Sequence, residues 1–339
     1  MNKPIFVHSG WRTGSTYIWS KFRLHSDCMP FYEPFNEVLV HITHDMLPSF
    51  QPSNWDSHHP RVATSYFSEY GSLISTGVQG FHPNFTIKNF FRNEQECLWD
   101  QAAYLAMLMH LSYQSHRRPV FNFCRSLGRI PWLRQTFPGI HILLLRNPID
   151  QWLSGRAQLR KGNPYFEIMP YLIMGQDEVP PIIRTIAQYW KLPQYTSDIA
   201  FFDAYHQIRP LVTSYSTTQS FGIFLDLYLY STLLALPFVD IVIDMDELDL
   251  SLTYRQEVSN ILRETLNLSL PFDDVHITHY GPDNRPPHWQ NVIINALQRM
   301  ESQWLPEMYC SIPELQPEHV NYIIHKVREV PLLEPRIRW

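Results

Sequence analysis

Cysteine is scarce in this 339-residue sequence, and the few cysteines lie far apart. They form no C-x-x-C pair, so neither a zinc site nor a disulfide framework is predicted, and we expect reduced thiols. The 16 histidines include no H-E-x-x-H motif, so the sequence implies no metal. The cysteines are Cys28, Cys97, Cys124 and Cys310.

A basic excess is also missing. Lysine and arginine together number 27 against 32 acidic residues, which gives a formal net charge of -5. Proteins that bind nucleic acid broadly normally carry a basic excess, so we expect no nucleic-acid partner. Any anion site in this chain must therefore be local.

Long uninterrupted apolar runs are absent. The richest stretch, 221–243, is broken by Asp226, Pro237 and Asp240, so we interpret it as a buried helix leading into a buried strand and expect no membrane span. The N-terminus leads directly into the apolar run Ile5–Val7, without the regions of a signal peptide. We therefore expect a cytoplasmic protein, with a bacterial source favoured.

Short apolar runs recur along the chain, separated by segments long enough for helices. Strands joined by helical crossovers form mostly parallel sheets with both faces covered. The pattern, with 45% apolar residues to fill a core, predicts a single α/β domain over 1–339, with a central parallel sheet flanked by helices. The predicted strands are 5–8, 29–32, 120–124, 140–145 and 239–243, and the predicted helices include 94–116 and 149–159.

Prolines outnumber glycines by 27 to 12 and concentrate in 162–184 and 280–289. Because proline interrupts helices and strands, we predict lid and rim loops in these stretches. A lid or acceptor-side insertion is accordingly expected around 160–215.

The run GWRTGST, residues 10–16, follows the first predicted strand. A Walker A loop requires a lysine where this run has Ser15, so a nucleoside-triphosphate site is disfavoured. The shorter loop, with Arg12 inside it, can still wrap one phosphate-like group, with Ser15 and Thr16 opening the helix as cap and donor. The alternative is a strand-to-helix turn in which Ser15 merely caps.

A second candidate site lies in HILLLRNPIDQWLS, residues 141–154. The predicted strand delivers Arg146 at its carboxyl end, Pro148 suits a helix start, and Ser154 lies about two turns further on. Arginine in this position suits an anion clamp. The alternative is that Arg146 pairs with Asp150 to fix the turn.

WRTGST after one strand and LLLRNPIDQWLS after a later one together resemble the two signatures of the sulfotransferases that use 3′-phosphoadenosine 5′-phosphosulfate (PAPS). The arginine form resembles the carbohydrate and bacterial branches, and motif coverage is about 4–37 and 119–155. The resemblance implies a P-loop NTPase-like fold. It also implies that residues 10–16, called the opening loop below, hold the 5′-phosphosulfate. Residues 141–154, the second motif, would hold the 3′-phosphate. The donor-binding residues are then Arg12, Thr13, Gly14, Ser15, Thr16, Arg146 and Ser154.

The activity implied by the resemblance is sulfonate transfer from PAPS to a hydroxyl or nitrogen of a small polar acceptor, such as a sugar, a glycolipid or a secondary metabolite. Adenosine 3′,5′-bisphosphate (PAP) is the product, and no metal is required. One alternative is a catalytically silent nucleotide-binding or scaffold protein of the same fold. A P-loop small-molecule kinase is a further alternative, with 240–244 as its Walker B strand, although the loop lysine is missing.

In the branches that the motifs resemble, a glutamate at the end of the second strand serves as the base, and it corresponds to Glu33 here. The chemistry agrees, because the acceptor must lose a proton during transfer. Pro34 favours an extended conformation at Glu33. Glu37 is the rival base, and the alternative role for Glu33 is a structural pair with a loop arginine.

Further predictions concern residues expected to contact the nucleotide or the acceptor. Arg125 follows the strand 120–124 and is expected to contact the nucleotide or the acceptor, or to be a solvated rim charge. The late loop containing Arg285 loosely resembles the loop that closes over the nucleotide. The predicted acceptor-side residues are Phe35, Glu37, Lys88 and Arg125.

Overall fold

The computed structural model describes residues 3–51, 60, 62–93 and 95–328. Over these residues it contains a five-stranded sheet and a short two-stranded hairpin. The strands are β1 (Ile5–His8), β2 (Cys28–Tyr32), β3 (Ile74–Ser75), β4 (Gly77–Val78), β5 (Arg118–Phe123), β6 (Ile140–Leu145) and β7 (Ile241–Asp244).

The five strands of the main sheet are all parallel and lie in the order β2-β5-β1-β6-β7. β1 is central, with Ile5 in register with Val120 of β5 on one side and Ile140 of β6 on the other. The strand order therefore reverses direction around β1. In open parallel sheets, ligands bind at the carboxyl ends of the strands where the order reverses.

Helices connect the strands of the described chain and cover the sheet. They are α1 (Ser15–Arg23), α2 (Trp99–Gln114), α3 (Ile130–Thr136), α4 (Pro148–Arg160), α5 (Tyr165–Met174), α6 (Pro181–Tyr189), α7 (Phe201–Val212), α8 (Thr217–Ala235), α9 (Met245–Leu250), α10 (Leu252–Leu266), α11 (Trp289–Arg299), α12 (Leu305–Ser311) and α13 (Pro317–Arg328).

Alternate residues of each strand point to opposite sides of the sheet, and helices bury both sides. In β1, Val7 packs in a cluster with residues of α1 and α10. Its neighbour Phe6 packs in a second cluster with residues of α2 and α3. Leu143 of β6 joins a third cluster built around α8. The predicted α/β class, with a parallel sheet flanked by helices, is confirmed.

The long apolar stretch forms α8 and β7, as predicted. The segment Thr217–Phe238 is long and apolar enough to cross a membrane, but 78% of its most apolar window is buried inside the protein. A core helix has this burial.

The proline-rich stretch 162–184 is more helical than predicted. Pro164 precedes α5, and Pro181 occupies the first turn of α6. Proline is tolerated at a helix start, since the first N–H groups have no intrahelical acceptor, so these prolines begin helices rather than exclude them. The expected loop at 280–289 is largely present, with a short 3₁₀ turn at Pro282–Asn284.

The predicted insertion around 160–215 contains α5, α6 and α7, with α5 packed on α7 and α8. Its role as a lid stays a prediction. The predicted helix at 94–116 begins at Trp99, and Glu94 lies outside the described residues, as do the two ends of the predicted domain 1–339.

Candidate anion and acceptor site

The loop between β1 and α1 has the backbone of an anion-binding turn. Gly14 precedes the helix with φ 105°, which is left-handed backbone that favours glycine. Gly10 leaves room for the Gln151 side chain, whose Nε2 donates to the Trp11 carbonyl at 2.7 Å. Within the described chain, the N–H groups of Gly14, Ser15 and Thr16 have no hydrogen-bond acceptor. They are free to bind an anion.

The hydroxyl groups of the loop have assigned partners. Ser15 is the first helical residue rather than the cap, which corrects the prediction, because left-handed Gly14 occupies the cap position. The Ser15 hydroxyl lies 3.1 Å from Cys124 Sγ, and the Thr16 hydroxyl lies 3.0 Å from the Tyr32 hydroxyl. Thr13 donates to the Gly10 carbonyl at 2.8 Å and so stabilises the turn.

Arg146 follows β6 and reaches across to the opening loop. Its Nη1 donates to the Arg12 carbonyl at 2.8 Å, and its Nη2 donates to the Thr278 carbonyl. Its Nε is buried and has no partner among the described residues. The predicted alternative, a structural pair between Arg146 and Asp150, is not among the ion pairs of the described chain, although Asp150 lies within electrostatic reach.

The two sequence motifs meet at these arginines. Arg12 Nε donates to the Ser154 hydroxyl at 3.0 Å, across 142 positions of sequence. Burial, and then the nearby Arg146 charge, lower the pKa of Arg12. Burial also lowers the pKa of Arg146. Two like charges placed together in a partly buried site favour an anion between them.

Glu33 and Glu37 share one arginine. Arg125 is 2% exposed; its Nη1 donates to Glu33, and its Nη2 donates to Glu37 at 2.7 Å and to the Tyr165 hydroxyl. The structure thus contains the pair of Glu33 with a loop arginine that the sequence left as an alternative. Arg125 is a buried clamp in this structure, not a solvated rim charge.

Burial raises the pKa of Glu33, although Arg125 opposes that shift. Burial also works against the charge on Arg125, but Glu37, Tyr165 and Glu33 outweigh it and raise the pKa of Arg125. The arginine therefore remains a cation, and its charge partly offsets the effect of burial on Glu33.

The backbone at Glu33 is not extended, contrary to the expectation from Pro34. Glu33 has φ 47°, as uncommon for a residue with a side chain as the φ of 65° at Arg12. The Glu33 N–H donates to the Asn122 carbonyl of β5 at 2.8 Å, and its own carbonyl accepts from Asn36 at 2.9 Å. These contacts hold the conformation against the local preference. Such backbone outliers cluster at functional sites.

A cavity of about 300 Å³ joins these groups at the carboxyl ends of the strands, within the size range of small-molecule sites. Its lining brings together most of the predicted site residues. These are Arg12, Gly14, Ser15, Thr16, Glu33, Glu37, Arg125, Arg146 and Ser154.

The remaining predicted residues lie outside this lining. Thr13 is a buried residue of the loop itself. Phe35 is a core residue, 1% exposed, with its ring 4.7 Å from that of Phe123. Lys88 pairs with Asp198 at 2.6 Å. The guanidinium of Arg285 lies 4.4 Å from the Trp289 ring centroid.

Several lining residues escaped the sequence analysis. Tyr165 and Phe166 come from α5, Tyr66 precedes the β3–β4 hairpin, and residues 276–278 follow α10. The guanidinium of Arg12 lies 5.1 Å from the Phe166 ring centroid. None of these residues belongs to a motif, so only the fold brings them to the site. The aromatic pair Tyr165 and Phe166 is visible in the sequence, but the chain has 48 aromatic residues (20 Phe, 18 Tyr and 10 Trp), so the pair does not stand out.

The kinase alternative takes 240–244 as its Walker B strand, and Ile241–Asp244 form β7. β7 is separated from β1 by β6. The Asp244 side chain caps α9 and pairs with Lys326 at 2.6 Å. A Walker B aspartate holds Mg²⁺ together with the loop hydroxyl, and Asp244 is not part of the cavity lining.

Comparison of the chain with protein-family models, with curated proteins and with solved structures finds no match. The fold and the site geometry are therefore the basis for the functional proposal.

Proposed function

We propose that this chain is a PAPS-dependent sulfotransferase that moves a sulfonate group to a small polar acceptor and releases PAP. The observation that carries the proposal is the meeting of Arg12, Arg146 and Ser154 in one cavity, with the Arg12–Ser154 bond of 3.0 Å joining the two motifs. Neither arginine has a carboxylate ion pair among the described residues. A ligand with two separate anionic groups would supply the missing charge.

The opening loop suits the 5′-phosphosulfate of the donor. Gly14, Ser15 and Thr16 present N–H groups at the start of α1, where the helix dipole favours an anion. The acceptor oxygen or nitrogen attacks sulfur, the bond from sulfur to the bridging oxygen breaks, and its electron pair remains on the phosphate. Arg12 would stabilise that growing charge, and the chemistry depends mainly on positioning and electrostatics.

Glu33 is the proposed base for the acceptor proton. Glu33 lines the cavity; burial raises its pKa, and the Arg125 charge opposes that shift, towards the ionised form that a base requires. Glu37 shares Arg125 and the same wall, so it remains the rival. A base must approach the acceptor, so one of the two carboxylates is expected to change partner when the acceptor binds.

The acceptor side of the cavity is aromatic. Tyr32 and Tyr66 stack with ring centroids 4.8 Å apart, and Phe67 and Tyr165 also line the cavity. Aromatic faces bind sugar and ring systems, which supports a carbohydrate or ring-containing acceptor.

A test of the proposal is turnover with labelled PAPS against a panel of acceptors, read as mass gain of one sulfonate. Arg12→Ala should lower turnover by about 10²-fold or more, because it removes a charge contact that strengthens in the transition state. Arg134→Ala is the control, since Arg134 pairs with Asp240 at 2.6 Å outside the cavity. Full activity in Arg12→Ala refutes the proposed role.

The alternative is a catalytically silent PAPS- or PAP-binding protein. The observation favouring it is that Arg125 engages both candidate bases, so neither is free in this conformation. Nucleotide binding without turnover on any acceptor would support this alternative. Sulfonate transfer that depends on Glu33 or Glu37 would exclude it.

A further inference from the structure

Three possible metal ligands from distant parts of the chain meet near Arg146. Asp150 lies in the first turn of α4, Asp246 in the first turn of α9, and His279 in the stretch after α10. His279 Nδ1 is 3.5 Å from Asp150 Oδ2 and 3.9 Å from Asp246 Oδ1. All three ligand atoms lie within 4.8 Å of one another.

The other nitrogen of His279 has a carboxylate partner. Nε2 lies 3.1 Å from Asp249 Oδ2, which also accepts from the Ile277 N–H at 3.0 Å. A carboxylate accepts, so Nε2 is the donor to Asp249, and in that tautomer the Nδ1 lone pair would face Asp150 and Asp246. Histidines that bind metals are usually oriented by such a second carboxylate contact.

Asp246 supplies an independent observation. It is 8% exposed, and its Oδ2 accepts from the Asn147 N–H and the Lys326 ammonium, both at 2.5 Å. Its Oδ1 is buried and has no hydrogen-bond partner among the described residues. This is the oxygen that lies nearest to His279. A buried acceptor without a donor is costly, and here it points into the cluster.

We propose that Asp150, Asp246 and His279 bind a divalent transition-metal ion, with Asp249 orienting the histidine. Metal–ligand distances of about 2.0–2.2 Å separate neighbouring ligand atoms by roughly 3–4 Å, close to the spacing of this cluster. Two carboxylate oxygens and one imidazole nitrogen suit Zn²⁺, Co²⁺ or Mn²⁺. The inference does not rest on the proposed sulfotransferase activity.

The ion would fix one wall of the cavity. Thr278 lines the cavity, and its carbonyl accepts from Arg146, while the adjacent His279 is one of the proposed ligands. The proposed ligands themselves are not among the lining residues. Metal binding would therefore tie the 276–279 wall to α4 and α9 without contacting a ligand in the cavity.

The test is a titration of the metal-free, full-length protein with Co²⁺, followed by visible absorption. We expect one equivalent bound, without the near-ultraviolet band of thiolate coordination. His279→Ala and Asp150→Asn should each weaken binding by at least about 10²-fold, and Asp249→Asn by about 10- to 100-fold. The asparagine at position 150 can still accept from the Tyr280 N–H, which now donates to Asp150 Oδ1 at 3.2 Å. Asp246 is left unchanged, because its pair with Lys326 is buried.

His206→Ala is the control variant, since His206 is exposed on α7. It should bind Co²⁺ as the unmodified protein does. Co²⁺ should also raise the melting temperature of the unmodified protein and of His206→Ala, but not that of His279→Ala. Absence of binding, equal binding by His279→Ala, or a thiolate band from the exposed Cys97 or Cys310 would overturn the proposal.

Discussion

Replacement of Arg146 by alanine should selectively weaken binding of nucleotides that carry a 3′-phosphate. In the structure, the Arg146 guanidinium donates to the carbonyls of Arg12 and Thr278, while its Nε–H is buried without a partner. If Arg146 holds the 3′-phosphate of PAP, that N–H gains at least one charge-assisted hydrogen bond. Adenosine 5′-monophosphate (AMP) lacks the group and gains none.

The size of the effect follows from that donor. One hydrogen bond between charged groups contributes about 1.5–3 kcal/mol, which corresponds to a loss of roughly 10- to 150-fold in affinity. If phosphate oxygens also replaced the Arg12 and Thr278 carbonyls as acceptors of Arg146, the loss of affinity in Arg146→Ala would be larger. AMP should change by less than about 3-fold, because the opening loop remains. Arg146→Lys should give an intermediate loss, since lysine keeps the charge but not the planar fork.

Calorimetric titration of PAP and AMP into each protein measures the discrimination directly. Arg134→Ala is the matched control, because it removes a partly exposed arginine that pairs with Asp240 outside the cavity. The reasoning is refuted if the unmodified protein binds PAP and AMP equally. It is also refuted if Arg146→Ala weakens both nucleotides to the same extent, which would assign Arg146 only the task of holding the loop.

Three further outcomes are expected. Glu33→Gln should retain PAP binding but lower sulfonate turnover by roughly 10²- to 10⁴-fold, and a large loss in Glu37→Gln instead would exchange the two roles. Arg125→Met should lower the free energy of unfolding by about 3–5 kcal/mol in urea titrations, because two buried carboxylates lose their partner; an unchanged midpoint contradicts this. Burial raises the pKa of Glu69 from 4.5 to about 7, against the effect of Arg23. Its protonated form therefore stabilises the fold in acid, and this contribution is lost as pH rises from 4.5 to 7. Glu69→Gln should remove a fall in stability on the order of 3 kcal/mol across that window, and identical pH profiles for the two proteins would exclude the shift.

Much of the fold could be predicted from local pattern. The predicted strand 140–145 coincides with β6, and the predicted helix 149–159 differs from α4 by one residue at each end. Apolar runs and a proline at the helix start carry this information within a few residues. The stretch 162–184 was predicted poorly, because its prolines signal interruption while their positions at helix starts depend on how α5 and α6 pack.

The site could be predicted in part. The motifs identified Arg12 and Arg146, and both line one cavity. The sequence alone did not identify the ion-pair partner of Glu33, because Arg125 lies 92 positions later and only the fold places it beside Glu33. The left-handed backbone at Glu33 was missed for the same reason, since tertiary hydrogen bonds override the preference set by Pro34.

The sequence by itself determined the parallel α/β architecture and located the two motifs that we predict to bind anions, because periodicity, glycine position and strand-end arginines are local properties. Tertiary structure alone decided the rest of the chemistry. It paired Arg125 with Glu33 and Glu37, and it brought Asp150, Asp246 and His279 together. These groups lie on separate connections at the same edge of the sheet, and distances across such an edge depend on strand order and helix packing rather than on spacing along the chain.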